Sequence, residues 1–306
     1  MSHMTERYSH GTIHWVNLKN PTQEDIQAVA SEYEIPLIFL SDLLTPVPKN
    51  YAVYADGFVK IAMDFPVIKQ TNKANHYEVK FFITKKGLIT IQYEEMEAMD
   101  RFKREFEVAA TLNKHAKNAT GVHIFFALLG ELYTSCTSKL DYVESILSEI
   151  ESEIFKENER QMVFSIAQSS KKIIAFRHTL LTHSGVYEDA RPLFEAHFKK
   201  SFEYDFENID KTYTNLMHRT NALFDTLDAL RETNFAMLTA KQNEIMKTLT
   251  IMAFITFPLT LFTSMFGMNT MTTPIVGKQG DFWIIVSVML TATIFFFIFF
   301  KYKKWM

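Results

Sequence analysis

The chain has 306 residues, a formal net charge of −3 and a single cysteine, Cys136. One cysteine excludes a disulfide framework and a four-cysteine zinc site. The slightly acidic charge argues against nucleic-acid binding, because it supplies no strong positive field for phosphates. Roughly 245 residues precede the first long apolar run, which leaves room for one or two domains outside a membrane.

Residues 5–96 are predicted to form an α/β domain of four to six strands. Thr22 can cap a helix that follows Asn20-Pro21, and Glu24 suits the positive end of that helix. Lys85-Lys86-Gly87 reads as the turn of a hairpin. The predicted strands, rich in alternating β-branched and aromatic residues, are 13–18, 52–54, 58–63, 77–84 and 88–92.

Residues 97–245 are predicted to be helical and to include a long stalk. Apolar residues recur at helical spacing from Val122 to Phe155, and a second helix is expected from about Val163 to Ser184. A third helix begins near Phe202–Asp205. A sevenfold spacing typical of a coiled-coil seam links four of its residues, Leu216, Leu223, Leu230 and Met237.

The third helix is expected to continue into a membrane. No proline or glycine interrupts the sequence from Phe202 to Phe257, so a single helix of about 90 Å is possible. A helix of this length needs partner helices for its stability, and the sequence therefore predicts a homo-oligomer.

Residues 246–306 are predicted to form a transmembrane hairpin in the cell membrane. Two uncharged runs, Thr248–Phe266 and Phe282–Phe300, are each long enough to cross the hydrocarbon core as a helix. Lys241 and Lys247 precede the first run, and Lys301, Lys303 and Lys304 follow the second. This bias predicts that both termini are cytoplasmic, in agreement with a polar N-terminal segment that does not resemble a signal peptide.

One stripe of the first apolar run is a candidate pore lining. At steps of three or four it contains Asn243, Met246, Leu249, Ala253, Phe257, Thr260, Ser264 and Gly267. Several copies turned inward would form an apolar throat below a polar mouth, and apolar constrictions can gate by dewetting. Packing between helices is the alternative interpretation of the same stripe.

The C-terminal region resembles the CorA family of divalent-metal transporters. Gly267-Met268-Asn269 closes the first of two terminal spans, as in that family. The other matching segments, in order, are Asn243-Glu244-Ile245-Met246-Lys247, Phe257-Pro258-Leu259-Thr260 and Lys303-Lys304-Trp305. Looser similarity covers nearly the whole chain, including Trp15-Val16-Asn17-Leu18 and Leu88-Ile89-Thr90-Ile91.

The resemblance implies a CorA-like funnel: a homopentamer with an α+β cytosolic domain, long stalk helices and two C-terminal transmembrane helices. It would carry Mg²⁺, and also Co²⁺ or Ni²⁺, as hydrated ions through a pore lined by the first span. Asn269 would form the outer selectivity ring, with its loop shaped by Gly267 and Met268. The remaining pore positions implied are the polar Asn243 and Thr260 and the constricting Met246, Leu249 and Phe257.

The family resemblance also implies regulation by cytosolic Mg²⁺ bound between subunits. Asp205, Glu207 and Asp210 at the start of the stalk are candidates by position, although Asn208 stands where the sensing acid is expected. A solvated helix start, with acids that suit the helix dipole, is the competing interpretation. The partners expected are therefore divalent cations, further copies of the chain and the lipid bilayer.

Two departures from the family pattern leave the transported ion open. Phe266 stands where the family usually has tyrosine, and Thr270 stands where it has an aromatic residue. The outer loop, residues 272–281, lacks an acidic segment and has Asp281 as its one acid. A Zn²⁺ transporter of the same superfamily is thus one alternative, and a membrane-anchored sensor or scaffold that does not transport is another. No nucleophile or phosphate-loop motif predicts an enzyme, and the spacing of His178 and His183 does not suit a metal site.

Overall fold

The protein is described by a computed structural model. It covers residues 4–11, 13–40, 43–44, 50–67, 76–111, 120–198, 202–268, 275–277, 279–303 and 305. The chain divides into two compact units, Met1–Arg231 and Glu232–Met306. The sheet and most of the helical region lie together in the first unit, while the divisions at residues 96 and 245 stay sequence predictions.

The first unit is built on a six-stranded sheet. Its strands are β1 (Met4–His10), β2 (Ile13–Lys19), β3 (Tyr51–Ala55), β4 (Phe58–Pro66), β5 (His76–Ile83) and β6 (Gly87–Gln92), in the spatial order β1-β2-β6-β5-β4-β3. Among these described strands, β2 and β6 pair in parallel and the other neighbours pair antiparallel. All five predicted strands are confirmed. β1 was not predicted, because its residues are mostly polar and it lies at the sheet edge.

The helices are α1 (Gln23–Tyr33), α2 (Glu97–Thr111), α3 (Gly121–Phe155), α4 (Glu159–Leu181), α5 (His183–Phe198), α6 (Glu203–Phe266) and α7 (Asp281–Tyr302). Thr22 caps α1 as predicted: its hydroxyl accepts from Asp25 N at 3.2 Å while the Asp25 carboxylate accepts from Thr22 N at 2.9 Å. The predicted second helix corresponds to α4, and α5 is an additional helix. Gly185 and Pro192 weaken its helical sequence signal.

Helices cover both faces of the sheet. Val16 and Leu18 point to the face covered by α1, where Ile26 and Val29 complete a buried core. The alternate residues point to the other face: Trp15 packs on Phe102 of α2, with ring centroids 5.0 Å apart. Phe81 of β5 likewise meets Phe125 of α3 at 5.1 Å. The interior strand β4, between β5 and β3, is consequently buried along its whole length, which explains its mostly apolar sequence.

The start of α6 lies parallel to α3 and antiparallel to α4. Arg219 of α6 pairs with Asp141 and Glu144 of α3 at 2.6 and 2.5 Å, and the Tyr213 hydroxyl donates to the Leu180 carbonyl of α4 at 3.1 Å. The first part of the predicted seam is confirmed, because Leu216, Leu223 and Leu230 are buried, while Met237 is half-buried. The stalk thus begins within a helical bundle of its own chain.

A chain of buried hydrogen bonds joins the sheet to α3 and α5. His183 Nε2 lies 2.6 Å from the Asp64 carbonyl of β4, and His183 Nδ1 lies 2.9 Å from the Tyr133 hydroxyl. The Tyr133 and Tyr187 hydroxyls are 2.5 Å apart. Burial lowers the pKa of His183 to about 4, against the opposing effect of its bond to the Asp64 carbonyl, so the ring is neutral near pH 7.

The proton positions in this relay follow from the partners. A carbonyl oxygen only accepts, so His183 Nε2–H donates to Asp64 and Nδ1 of the neutral ring accepts. Tyr133 therefore donates its proton to Nδ1, and Tyr187 donates to the Tyr133 oxygen. Each bond depends on the neighbouring one, so the relay fixes β4, α3 and α5 in one arrangement.

We predict that His183 makes the folded chain sensitive to acid. The unfolded chain binds the proton near pH 6.5 and the folded chain only near pH 4. Stability is therefore full above about pH 6.5 and falls by up to about 1.4 kcal/mol per pH unit as the pH decreases toward 4. His183→Gln should unfold more easily at pH 7.5 but lose less further stability by pH 5, measured by denaturant unfolding of the full chain in detergent.

His178→Gln is the matched control, because His178 lies exposed on α4. It should show the same pH dependence as the unsubstituted chain. An unchanged pH dependence in His183→Gln would contradict the assignment of the titrating group.

Candidate ion pathway on the apolar helices

Helices α6 and α7 supply the two apolar segments of the second unit. α6 runs without a break through 64 residues, about 96 Å at 1.5 Å per residue, which confirms that the stalk continues into the first apolar run. Both helices contain a stretch long and apolar enough to cross a membrane, and only 6% and 0% of the residues in these stretches are buried. Lipid or further protein must therefore cover most of this surface.

One side of α6 packs on α7. Ile251 and Phe300 are buried at 6% and 4% exposure, and the Phe254 and Phe300 ring centroids lie 6.5 Å apart. The partly shielded larger side chains of the apolar part of α6 are Ile255, Leu259, Phe262 and Phe266. Together with Ile251 they form one stripe, at steps of three or four residues.

The candidate pore stripe lies on the opposite side of α6. At about 100° per residue, its mean direction differs by roughly 160° from that of the shielded stripe. Met246, Leu249 and Phe257 are 55%, 54% and 72% exposed, and Asn243 and Thr260 are also exposed. This side of α6 is thus free of contacts with α7 and available to other chains or to a pore.

The stripe changes character along its length. Its N-terminal residues Met246 and Leu249 are apolar, and the polar Thr260 and Ser264 follow Phe257 along the chain. The Thr260 hydroxyl donates its proton to the Thr256 carbonyl at 2.9 Å, so its oxygen can act toward other groups only as an acceptor. Such an acceptor can hydrogen-bond to water, including the hydration water of a cation.

Gly267 and Met268 lie just beyond the end of α6. Gly267 N donates to the Thr263 carbonyl at 2.9 Å, and a β-carbon on Gly267 would lie 3.3 Å from that same carbonyl oxygen. Met268 is 60% exposed. Asn269, the residue predicted to form the selectivity ring, lies outside the described residues, so its role stays a prediction.

The three candidate regulatory acids do not converge within one chain. Asp205 faces α3, with its carboxylate 3.9 Å from His123 Nε2; burial raises the pKa of Asp205, and His123 partly offsets this. Glu207 and Asp210 lie on roughly the opposite side of α6, at about 100° per residue. Within the described residues no group of three metal-ligating side chains is found, and the regulatory role of these acids stays a prediction.

The geometry agrees with comparisons against known proteins. A family model described as CorA-like Mg²⁺ transporter protein matches residues 10–303. The chain belongs to the CorA family. Among curated relatives, the cobalt/magnesium transport protein CorA of Thermotoga maritima is 22% identical over 298 residues, which are 95% of this chain and 83% of the relative.

Solved structures show the same fold. The complete CorA magnesium transporter of Methanocaldococcus jannaschii superposes with a TM-score of 0.75 at 18% identity, covering 96% of this chain and 92% of the other. The ZntB cytoplasmic domain of Vibrio parahaemolyticus superposes with a TM-score of 0.58 at 13% identity, covering 76% and 88%. The α+β domain, the long helix and the two C-terminal apolar helices of this CorA chain are thus features of a shared fold.

We predict that water reaches the candidate pore stripe but not the α7-facing stripe. Cys136 is fully buried and is the chain's one cysteine, so introduced thiols can be labelled against a low background. Leu249→Cys and Thr260→Cys should react with a charged, water-soluble methanethiosulfonate in membrane vesicles. Ile255→Cys, on the shielded stripe, is the matched control and should react much more slowly. Equal rates at Ile255 and Thr260 would contradict the assignment of the two sides.

Proposed function

We propose that this chain forms a homopentameric channel that carries divalent cations, Mg²⁺ first and also Co²⁺ and Ni²⁺, into the cell. The observation that supports a pore is the exposed stripe of α6 opposite the α7 contact, with apolar residues below polar ones. Family membership supports divalent-cation transport. A single α6 encloses no passage, and several copies with this stripe inward would enclose one.

In the proposed selectivity step, the pore recognises the ion together with its hydration water. Mg²⁺ gives up its water reluctantly, so neutral oxygens that bind the hydration shell suit it better than a cage of carboxylates. Asn269 amides would form the outer ring, held by the turn at Gly267 and Met268, and the Thr260 hydroxyls would extend the polar path. Met246, Leu249 and Phe257 would form the constriction that closes by dewetting.

The proposed orientation places both termini in the cytoplasm, on the evidence of the flanking lysines. An inside-negative potential then drives uptake. The electrical energy is about 2.3 kcal/mol per charge per 100 mV, or about 4.6 kcal/mol for a divalent ion. In this proposal Mg²⁺ is both the transported ion and a regulatory ligand of the stalk.

A Zn²⁺ transporter is the second candidate. The residues that favour it are Phe266 before the Gly267-Met268-Asn269 motif and an outer loop poor in acids, because fewer acids concentrate fewer hard cations at the mouth. Flux of Mg²⁺, Co²⁺ and Zn²⁺ in proteoliposomes, with and without a pH gradient, separates the candidates. Zn²⁺ flux that requires the pH gradient, without Mg²⁺ flux, would favour the second.

We predict that Asn269→Ala abolishes Mg²⁺ flux but leaves assembly intact, because it removes the amide oxygen while the neighbouring backbone is unchanged. Flux is measured in proteoliposomes with a Mg²⁺-sensitive dye, and assembly by light scattering on the detergent-solubilised particle. Asn215→Ala, an exposed position on the cytoplasmic part of α6, is the control and should transport normally. Retained flux in Asn269→Ala would rule out the selectivity ring, and absence of flux in the unsubstituted protein would favour a sensor or scaffold.

The regulatory role proposed for the stalk acids has its own test. Mg²⁺ bound between copies should protect the cytoplasmic part of the assembled protein from limited proteolysis. Glu207→Gln/Asp210→Asn should lose most of this protection, since both acids lie on the same side of α6. Glu149→Gln/Glu151→Gln, on the exposed face of α3, is the charge-matched control. Equal protection in both double variants would show that the stalk acids are merely solvated.

A further inference from the structure

The first unit contains a cavity that the ion pathway does not use. Its volume is about 610 Å³, within the roughly 300–1,000 Å³ range of small-molecule sites. It lies at the end of the sheet where β3 turns into β4 and β5 turns into β6. The end of α1 and the end of α5 complete its walls, and all its lining residues belong to the first unit.

One wall of the cavity is aromatic and held in place. The rings of Tyr54 and His197 stack with centroids 3.6 Å apart and an interplanar angle of 9°. The Tyr54 hydroxyl accepts a hydrogen bond from Gly57 N at 3.1 Å, which fixes the ring against its own turn. Tyr54 nevertheless remains 39% exposed, so the pair presents apolar ring surface to a ligand.

The β5–β6 turn places two cationic side chains at the cavity. Lys85 and Lys86 are exposed, and neither pairs with a carboxylate within the described parts of the chain. The turn itself is well defined, because the Thr84 hydroxyl accepts from Lys86 N at 3.2 Å and from Gly87 N at 3.0 Å. Two unpaired ammonium groups on an ordered turn suit a phosphate-bearing ligand.

The end of α1 contributes two carboxylates, one that is ion-paired and one that is not. Glu32 is paired with Arg7 at 2.8 Å. Glu34 caps the end of the helix in the left-handed region, with φ 55°, and forms no ion pair among the described residues. An acceptor carboxylate at a nucleotide site commonly binds ribose hydroxyls.

We propose that this cavity binds a ribonucleoside phosphate. The base would lie on the Tyr54–His197 pair, the phosphates at Lys85 and Lys86, and the ribose hydroxyls at Glu34. Any base can stack on an aromatic side chain. The cavity is therefore expected to select ribonucleoside phosphates as a class and to discriminate little among bases. The ligand would contact α5, the helix that also carries His183 and Tyr187 of the buried relay.

The test measures binding and is independent of transport. The purified full-length chain in detergent, without divalent cations, is dialysed to equilibrium against radiolabelled ADP, with adenosine, 2′-deoxy-ADP and pyrophosphate as competitors. We expect one saturable site per chain, with ADP bound at least roughly tenfold tighter than adenosine or pyrophosphate. Lys85→Ala/Lys86→Ala should weaken ADP binding by about tenfold or more while leaving adenosine unaffected. Glu34→Gln should remove the preference for ADP over 2′-deoxy-ADP.

Lys171→Ala/Lys172→Ala in α4 is the matched control for charge and should bind ADP normally. The proposal is overturned by absence of saturable ADP binding up to about 1 mM in a chain that is folded by circular dichroism. Undiminished ADP binding by Lys85→Ala/Lys86→Ala also overturns it. Pyrophosphate that competes as well as ADP would show a plain anion site and reject the nucleoside part.

Discussion

The structure depends on the continuity of α6 from a helical bundle into an apolar segment. Inside the hydrocarbon core of a bilayer every backbone amide and carbonyl must bond within the protein, and a helix meets this requirement with its own hydrogen bonds. α6 meets this constraint by extending its own hydrogen bonds from Glu203 to Phe266, even past Pro258. The start of the stalk and the candidate pore stripe therefore belong to one continuous helix.

The two ends of α6 are stabilised by different kinds of interaction. Near its start, buried leucines and the Arg219 ion pairs fix it against α3, and a directional hydrogen-bond relay fixes α3 and α5 to the sheet. In its apolar part, one stripe packs on α7 and the opposite stripe is left exposed. Such an exposed apolar surface requires lipid or additional copies to cover it. Transport is proposed for an assembly because a single α6 encloses no passage.

Local sequence signals predicted most elements and located the candidate pore stripe. The strand-forming composition of β4 and β5, the Thr22 cap and the helical period of α3 are local patterns, and the element predicted from each is confirmed. β1 was missed because a polar edge strand carries little apolar alternation. α5 was missed because Gly185 and Pro192 lower helical propensity, and tertiary packing of Tyr187 and Phe194 outweighs that penalty.

The sequence by itself determined four features of this protein: the two apolar spans, their lengths, the motif that closes the first one and the family resemblance. Each of these features is a property of contiguous residues, because hydrophobic periodicity and charge pattern can be recognised within a short segment. Only the tertiary structure decided that His183 is a buried, neutral link between Tyr133 and β4, that Asp205 points away from Glu207 and Asp210, and that distant turns enclose a cavity. Such relations join residues far apart in sequence, so their energies depend on packing that no local pattern encodes.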